Sequence, residues 1–320
     1  MATLKLLQGK LRLPVICSPM FTVSYPALVA AQCKAGVVGS FPALNARPEP
    51  ELGRWLTELK AELAAYAAAN PHKKVAPFAV NQIIKKDNTR LVHDLEVCAK
   101  HQVPITITSL RAPNELVQEI HGYGGVILHD VVNLRHAMKA LEGGVDGLIL
   151  VAAGAGGHAG RLNPIAFVNE VRKHYDGPIA LSGTITNGAG VLAAQAMGAD
   201  YAYVGTRFIA TSESNASEAY KQAVLQGNAE DVIYTDYFSG VHANYLRASI
   251  VASGLDPENL PTSPGRSRPL LRTSTWKDVW GVGQGIGSIG DIPDVETLVA
   301  RMEAEYQAAK AKLMRSHEAA

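Results

Sequence analysis

Several things are scarce in this sequence, and each scarcity excludes a class of protein. Only three cysteines occur in 320 residues, Cys17, Cys33 and Cys98. An odd number without metal-ligand spacing makes neither a disulfide framework nor a metal site, and it fits reduced thiols in the cytoplasm. Cys17 lies at a predicted strand end, where a buried thiol packed as a small hydrophobe is expected ahead of a nucleophile. Charge is also sparse and balanced: 30 Lys and Arg against 29 Asp and Glu give a formal net charge of +1. No basic stripe suited to a phosphate backbone results, so no nucleic-acid partner is expected. No apolar run approaches the roughly 18 residues of a membrane span, and residues 1–10 carry Lys5 and Lys10 without the apolar core of a secretory signal. A membrane partner is therefore not expected either.

Apolar residues make up 47% of the chain and glycine contributes 29 residues. A large core follows, and the length allows one large α/β barrel or two smaller domains. Short apolar runs at 13–18, 37–40, 77–81, 103–108, 126–130, 147–151, 178–181 and 201–204 read as strands. Helical patterns separate them, among them Leu52, Leu56, Leu59 and Leu63 at amphipathic spacing within 49–69. Further helices are expected at 113–121 and 294–311. Continuous apolar strands alternating with helices indicate a parallel sheet covered on both faces. Closure into a (β/α)8 TIM-type barrel is the simplest solution for eight such units. The alternation stops near residue 229. The expected organisation is a barrel over 1–228, a lid or small subdomain inserted over 229–290, including a Pro/Ser/Arg segment at 261–269, and a C-terminal helix packed on the barrel over 291–320.

Barrel chemistry collects at the carboxyl ends of the strands. Pro19, Met20 and Phe21 follow strand one there, Asn81 and Gln82 strand three, and His129 and Asp130 strand five. Strand six is followed by Val-Ala-Ala-Gly-Ala-Gly-Gly-His-Ala-Gly at 151–160, which sets His158 inside a glycine-rich turn. Glycine permits close backbone approach to a ligand, so His158 is expected to face one rather than bulk solvent. Ser182, Gly183 and Thr184 follow strand seven, and Gly205 and Thr206 strand eight. Consecutive glycine turns ahead of helices present amide donors, and a phosphate is expected there. Gly281-Val282-Gly283-Gln284-Gly285-Ile286-Gly287 has dinucleotide-like spacing, but no strand precedes it and no helix follows, so a flexible active-site loop is expected. His129 either reaches the ligand or is hydrogen-bonded in the rim. Tyr234, Tyr237, Phe238, His242 and Tyr245 either line a cleft or pack as an aromatic core.

The Pro19-Met20 turn, Leu134-Arg135-His136-Ala137, Gly156-Gly157-His158-x-Gly160, Gly183, Gly198-Ala199-Asp200, Gly205-Thr206-Arg207-Phe208 and Gly283-Gln284 together resemble the nitronate monooxygenase family. That family, formerly called 2-nitropropane dioxygenases, comprises flavin-dependent barrels and also holds NADH:quinone reductases and flavin enoyl-acyl-carrier-protein reductases. The resemblance implies FMN, with its phosphate at Gly183, Thr184, Gly205 and Thr206 and its ring near Met20, Asn81 and His158. Pro19, Phe21, Asp130, Gly157, Ser182 and Gln284 complete the expected cofactor set.

The chain departs from the family pattern at four places. No Glu precedes Gly156-Gly157-His158, Asp130 stands where a lysine is common after strand five, Thr184 replaces the second glycine of the phosphate turn, and Gly285 replaces a serine. Asp130 reverses the local sign of charge.

The resemblance implies oxidation of a nitronate or nitroalkane with O2, giving a carbonyl compound and nitrite, with His158 as catalytic residue; propionate 3-nitronate is the candidate substrate. An imidazole with an ordinary pKa near 6.5 would remove the α proton of a neutral nitroalkane, or supply positive charge to a nitronate. NAD(P)H is the reductant under the rival readings of a quinone or enoyl reductase. A non-catalytic flavin-binding protein is the reading from a different class. A homodimer is the candidate assembly.

Overall fold

Hydrogen-bonded register explains how the short apolar runs become one barrel. The computed structural model describes residues 3–261 and 276–318. Its barrel strands are β1 (Val15–Cys17), β2 (Gly39–Pro42), β3 (Phe78–Ile84), β4 (Ile105–Leu110), β5 (Val126–Val131), β6 (Gly147–Val151), β8 (Ile179–Ser182) and β9 (Tyr201–Val204). They pair in parallel in the order β1-β9-β8-β6-β5-β4-β3-β2. A parallel bridge between Ile16 and Val38 closes the ring, with the Cys17 amide donating to the Val38 carbonyl at 2.8 Å. The expected (β/α)8 barrel is therefore the fold.

Helices α1 (Pro26–Lys34), α2 (Glu51–Ala69), α3 (Leu91–Lys100), α4 (Val117–Gly122), α5 (Leu134–Glu142), α6 (Pro164–Arg172) and α7 (Gly188–Ala196) form the outer layer. Local chemistry starts several of them. Asn133 and Asn187 cap α5 and α7 through their side-chain oxygens, and Asn163 caps α6 ahead of a proline at its first position. Leu52, Leu56, Leu59 and Leu63 of α2 are all buried, as their spacing requires. Cys17, Cys33 and Cys98 are free and buried, and burial raises all three thiols, Cys33 and Cys98 to about 12. They pack as hydrophobes.

Differences from the sequence reading concern extensions. Strands β3 and β4 run on to Ile84 and Leu110 because Gln82 pairs with Thr108 and Ile83 with Ser109, so polar side chains at the strand tops do not end the ladder. Helix α4 begins at Val117 rather than 113, and the last helix, α11 (Val295–Glu318), outruns the expected 311. Gly157–His158 forms a two-residue strand, β7, at one edge of a three-stranded antiparallel sheet with β11 (Ala243–Leu246) and β10 (Val232–Thr235). Phe238, Tyr245, Ile250 and Val279 pack beneath that sheet. Phe238 and Tyr245 are thus core aromatics, their rings 4.9 Å apart, while Tyr234 stacks on His242 at the rim. Residues 262–269 of the expected Pro/Ser/Arg segment lie outside the described residues.

At the amino-terminal end the barrel is sealed. Leu4 and Leu7, from a short 3-10 turn, join the interior cluster beside Tyr201, whose hydroxyl accepts the Leu4 amide at 3.0 Å. On the outside, α11 lies against α7 so closely that a Cβ on Gly188 would overlap the Met302 carbonyl and the Tyr306 amide. Gly188 also gives its amide to Glu305 at 2.8 Å. Gly188→Ala is expected to lower the unfolding free energy by about 1–3 kcal/mol through overpacking. Urea denaturation checks this; an unchanged midpoint would show that α11 docks without that close approach.

Candidate active site

Side chains alternate along a strand, so every second residue enters the barrel. The lower interior receives Ile16, Val38, Ala79, Ile107, Leu128 and Ile149. The next inward positions are Ser18, Asn81, Ser109, Asp130, Ser182 and Tyr203. The interior thus becomes largely polar towards the carboxyl-terminal mouth, with Val151 of β6 an apolar exception. Asn81 donates to the Ser109 hydroxyl at 2.9 Å, and Ser109 donates to Asp130 Oδ2 at 2.6 Å. Burial raises the Asp130 carboxyl to about 7, against the lowering effect of the Ser109 hydrogen bond. His129 points the other way: its Nδ1 lies 2.8 Å from the Thr108 hydroxyl, and burial lowers it to about 4. It is a rim histidine and stays neutral.

The glycine-rich turn after β6 is the meeting place of the mouth loops. Gln284 donates its amide to the Gly154 carbonyl at 2.9 Å, and the Gly283 amide reaches the Thr206 hydroxyl at 2.9 Å. A Cβ on Gly156 would lie 2.8 Å from the Gly283 nitrogen, so no other residue fits there. Residues 281–288 are consequently not the flexible loop expected. They are pinned to the turn, to Tyr220, whose hydroxyl donates to the Gly281 carbonyl at 2.5 Å, and to Thr186 through Ser288 at 2.6 Å.

The two phosphate turns differ in how they present donors. Helix α7 starts only at Gly188, with Asn187 capping the Gly190 amide and Glu305 taking that of Gly188, so its helix end is not the donor expected after β8. The amides of Gly183 and Thr184 remain uncommitted among the described residues, as does that of Gly205 ahead of α8 (Thr206–Ile209). Thr184 holds φ 59, the left-handed conformation that favours glycine, a strain of order 1–3 kcal/mol of the kind stored at functional sites. Thr206 accepts from Gly283 and keeps its hydroxyl hydrogen free. Uncommitted amides with one free hydroxyl fit an anion such as the FMN phosphate. A separate cavity of about 370 Å³ behind these turns is lined by Arg207, Asp291 and Arg301, whose charges pair at 2.7 Å, and it does not open on the mouth residues.

His158 is held by backbone and side chain together. Its strand pairs with Ala243 and Asn244, and its ring meets Trp276 edge-on, centroids 5.1 Å apart. Nε2 lies 3.0 Å from the Ser239 hydroxyl, which donates its one hydrogen to the Val241 carbonyl at 2.9 Å. With the Ser239 hydrogen on Val241, Ser239 accepts from Nε2–H, and that tautomer leaves the Nδ1 lone pair free. His158 is an exposed residue, even though protein atoms enclose much of its imidazole. That enclosure, reinforced by the nearby Lys85 ammonium, lowers its pKa from 6.5 to about 4. Against the expectation of proton exchange near 6.5 or of a positive imidazolium, the direction is towards a neutral imidazole at neutral pH, by desolvation first and the Lys85 charge second, a shift that solvent at the exposed side chain screens.

Gly157, His158, Gly183, Thr184, Thr206 and Gln284 thus gather around one turn, with Met20 beside Gly205. Asn81 and Asp130 join across Ser109 on the far wall. Ser182 stands on the inner face of β8, and Phe21 turns towards the Arg47 guanidinium, 5.6 Å from its ring centroid. Pro19 sits at the carboxyl end of β1, with no polar role of its own. Sequence reasoning missed four supports. Asn45 fixes the Met20 turn by donating to the Met20 carbonyl and accepting the Thr22 amide. Ser109 follows from strand alternation once β4 is extended, and Tyr203 from alternation within the strand already read at 201–204. Ser239 carried no signal, since it meets His158 across 81 residues of chain.

Comparison with known proteins bears on the family and the fold. The family model described as nitronate monooxygenase matches residues 5–305. A nitronate monooxygenase from Paraburkholderia phytofirmans is 27% identical, the match covering 92% of each chain. A protein of Rhodococcus jostii named (3aS,4S,5R,7aS)-5-hydroxy-7a-methyl-1-oxo-octahydro-1H-indene-4-carboxyl-CoA dehydrogenase is 26% identical over 75% of this chain and 64% of its own. Among solved structures, FabK from Thermotoga maritima superposes with a TM-score of 0.77 at 24% identity, covering 97% of both chains. Nitroalkane oxidase from Streptomyces ansochromogenes superposes at 0.78 and 22% identity, covering 96% of this chain and all of its own. These structures share the fold, and the family match over nearly the whole chain assigns it: the chain belongs to the nitronate monooxygenase family of oxidoreductases.

Proposed function

We propose that this chain binds FMN in the barrel mouth and oxidises alkyl nitronates with O2 to a carbonyl compound and nitrite. The observation that carries the reading is the neutral His158 imidazole, its Nδ1 lone pair uncommitted, beside turns whose free amides suit a phosphate. Bound FMN would supply the two-electron chemistry between substrate and oxygen. Gly183, Thr184, Gly205 and Thr206 would hold its phosphate, with Met20, Asn81 and Asp130 around its ring.

The remaining work belongs to side chains. Ser239 orients the imidazole by fixing its proton on Nε2, so that Nδ1 can accept the α proton of a neutral nitroalkane. A nitronate arrives without that proton and needs only placement. Lys85, near enough to influence His158 though paired with Asp87 at 2.9 Å, makes the entrance more favourable to an anion. A quinone or enoyl reductase on this scaffold would require His158 to give a proton, which a group with pKa about 4 does poorly near neutrality. Anaerobic mixing decides between them. Bleaching of the flavin by propionate 3-nitronate but not by NADH or NADPH supports the monooxygenase, the reverse supports the reductase, and no bleaching by any of them supports a binding protein.

Three outcomes are expected. His158→Asn should retain flavin but reduce it by a neutral nitroalkane about 10²-fold more slowly, with a smaller loss for the preformed nitronate. Stopped-flow traces of the two substrates test the difference; equal losses would remove the base role. In the wild type, the base must be unprotonated, so the nitroalkane rate should stay level from pH 8 to pH 6 and fall only as pH approaches 4; a half-maximum near 6.5 would contradict a desolvated imidazole. Thr206→Glu should empty the site of flavin by placing a carboxylate against the phosphate, and an unchanged 450 nm absorbance per protein would move the phosphate elsewhere.

A further inference from the structure

Asn244, in the middle strand of the small sheet, reaches both main-chain stretches that meet at the mouth. Its backbone is paired with Gly157, and its carbonyl accepts the Val282 amide at 3.3 Å. Directly beyond it, Tyr245 bridges to Gly281, so the pairing of β11 passes at Asn244 from β7 to residues 281–282. The side chain adds a bond that ladder pairing does not require: Nδ2 donates to the Ala155 carbonyl at 2.7 Å. Both residues are buried.

What that bond controls follows from the stretch it holds. Between Gly154 and His158 the chain has glycine at 154, 156 and 157, with Gly154 at φ 84° and Gly157 at φ 67°. Glycine leaves the backbone its widest choice of conformations, so such a stretch keeps its shape through external anchors. Gln284 anchors it at the Gly154 carbonyl and the β11 ladder at Gly157; Asn244 anchors it between the two, at Ala155. The same strand pairs with His158 through Ala243, and the loop that leads into it carries Ser239, the partner of Nε2. A buried carbonyl deprived of its donor turns to find another, because leaving it unpaired is costly. In a glycine-rich stretch its neighbours turn with it.

We infer that Asn244 is a positioning residue for His158: by holding the Ala155 carbonyl it fixes the glycine-rich turn, and with it the place of the imidazole against Ser239 and the mouth. The role rests on the base assigned to His158 above. Asn244 acts through the turn and touches no reacting atom. The amides proposed to hold phosphate, those of Gly183, Thr184 and Gly205, belong to barrel turns that its side chain does not bond. Base placement and cofactor binding are therefore separable.

The test removes the donor with Asn244→Leu, a side chain of similar size, and restores part of it with Asn244→Ser, whose hydroxyl leaves room for a bridging water to the Ala155 carbonyl. In the first arm, flavin-loaded proteins are reduced anaerobically by a neutral nitroalkane and by its preformed nitronate. Only the nitroalkane needs a base. Asn244→Leu should lose at least about tenfold more rate with the nitroalkane than with the nitronate, the effect of a small misplacement of a catalytic group. Flavin content should stay near wild type, and Asn244→Ser should recover part of the difference. Equal losses with the two substrates, or flavin lost from both variants, make Asn244 a structural residue only and overturn the inference. The second arm uses apo-protein and no substrate. The imidazole 15N shifts of His158, assigned by their absence in His158→Asn, report which nitrogen carries the proton. Both variants should move from the wild-type Nε2–H pattern towards the mixture of an unrestrained imidazole, Asn244→Leu further than Asn244→Ser. Wild-type shifts in both variants overturn the inference whatever the kinetics show. Where neither substrate reduces the wild-type flavin, the nitronate reading fails and the imidazole shifts still decide the role of Asn244. Should Asn244→Leu not fold, Asn244→Ser carries both readouts.

Discussion

Two stretches of main chain, residues 154–156 and 282–284, meet with no side chain between them, and the mouth of this barrel is built on that contact. A Cβ at Gly156 would lie 2.8 Å from the Gly283 nitrogen, and one at Gly283 would lie 2.7 Å from the Gly154 carbonyl. Contact at this range holds three loops at once, since Gly283 also binds Thr206 and Gln284 binds Gly154. The donors of the β8 and β9 turns therefore keep a fixed relation to the turn carrying His158. Close backbone approach is what glycine supplies at a cost in chain entropy, and here the return is a preorganised site.

His158 depends on the same turn from its other end. Its backbone is a ladder residue of the small antiparallel sheet, so the position of the imidazole is set by β10 and β11 as much as by the barrel. The hydroxyl that fixes its tautomer and the ring that meets it edge-on, Ser239 and Trp276, also come from outside the barrel. Barrel and small sheet thus contribute different things: the first supplies the strand-end turns, the second the neighbours of one imidazole.

Much of this was legible in the residues. Eight apolar runs alternating with helical spacing sufficed for the barrel, and the rule that chemistry lies at strand carboxyl ends located Asn81, Asp130, Gly183 and Thr206. Three things were not legible, for identifiable reasons. The pairing of Gly157–His158 with Ala243 and Asn244 is a contact at long sequence separation between segments too short to show a period. The shifts of His158 and Asp130 depend on enclosure, which sequence does not express. That the start of α7 is not the expected donor was hidden too, because Glu305, from the distant last helix, takes the Gly188 amide while Asn187 caps Gly190.

The leucine-and-tyrosine seal at the amino-terminal end bears on traffic. With Leu4, Leu7 and Tyr201 filling the base beneath an apolar interior cluster, a molecule entering from the carboxyl-terminal mouth would meet closed packing below it. If the proposed oxidation runs there, product would have to leave by the side on which substrate arrives, and the exchange of one occupant for the next would become a step in its own right.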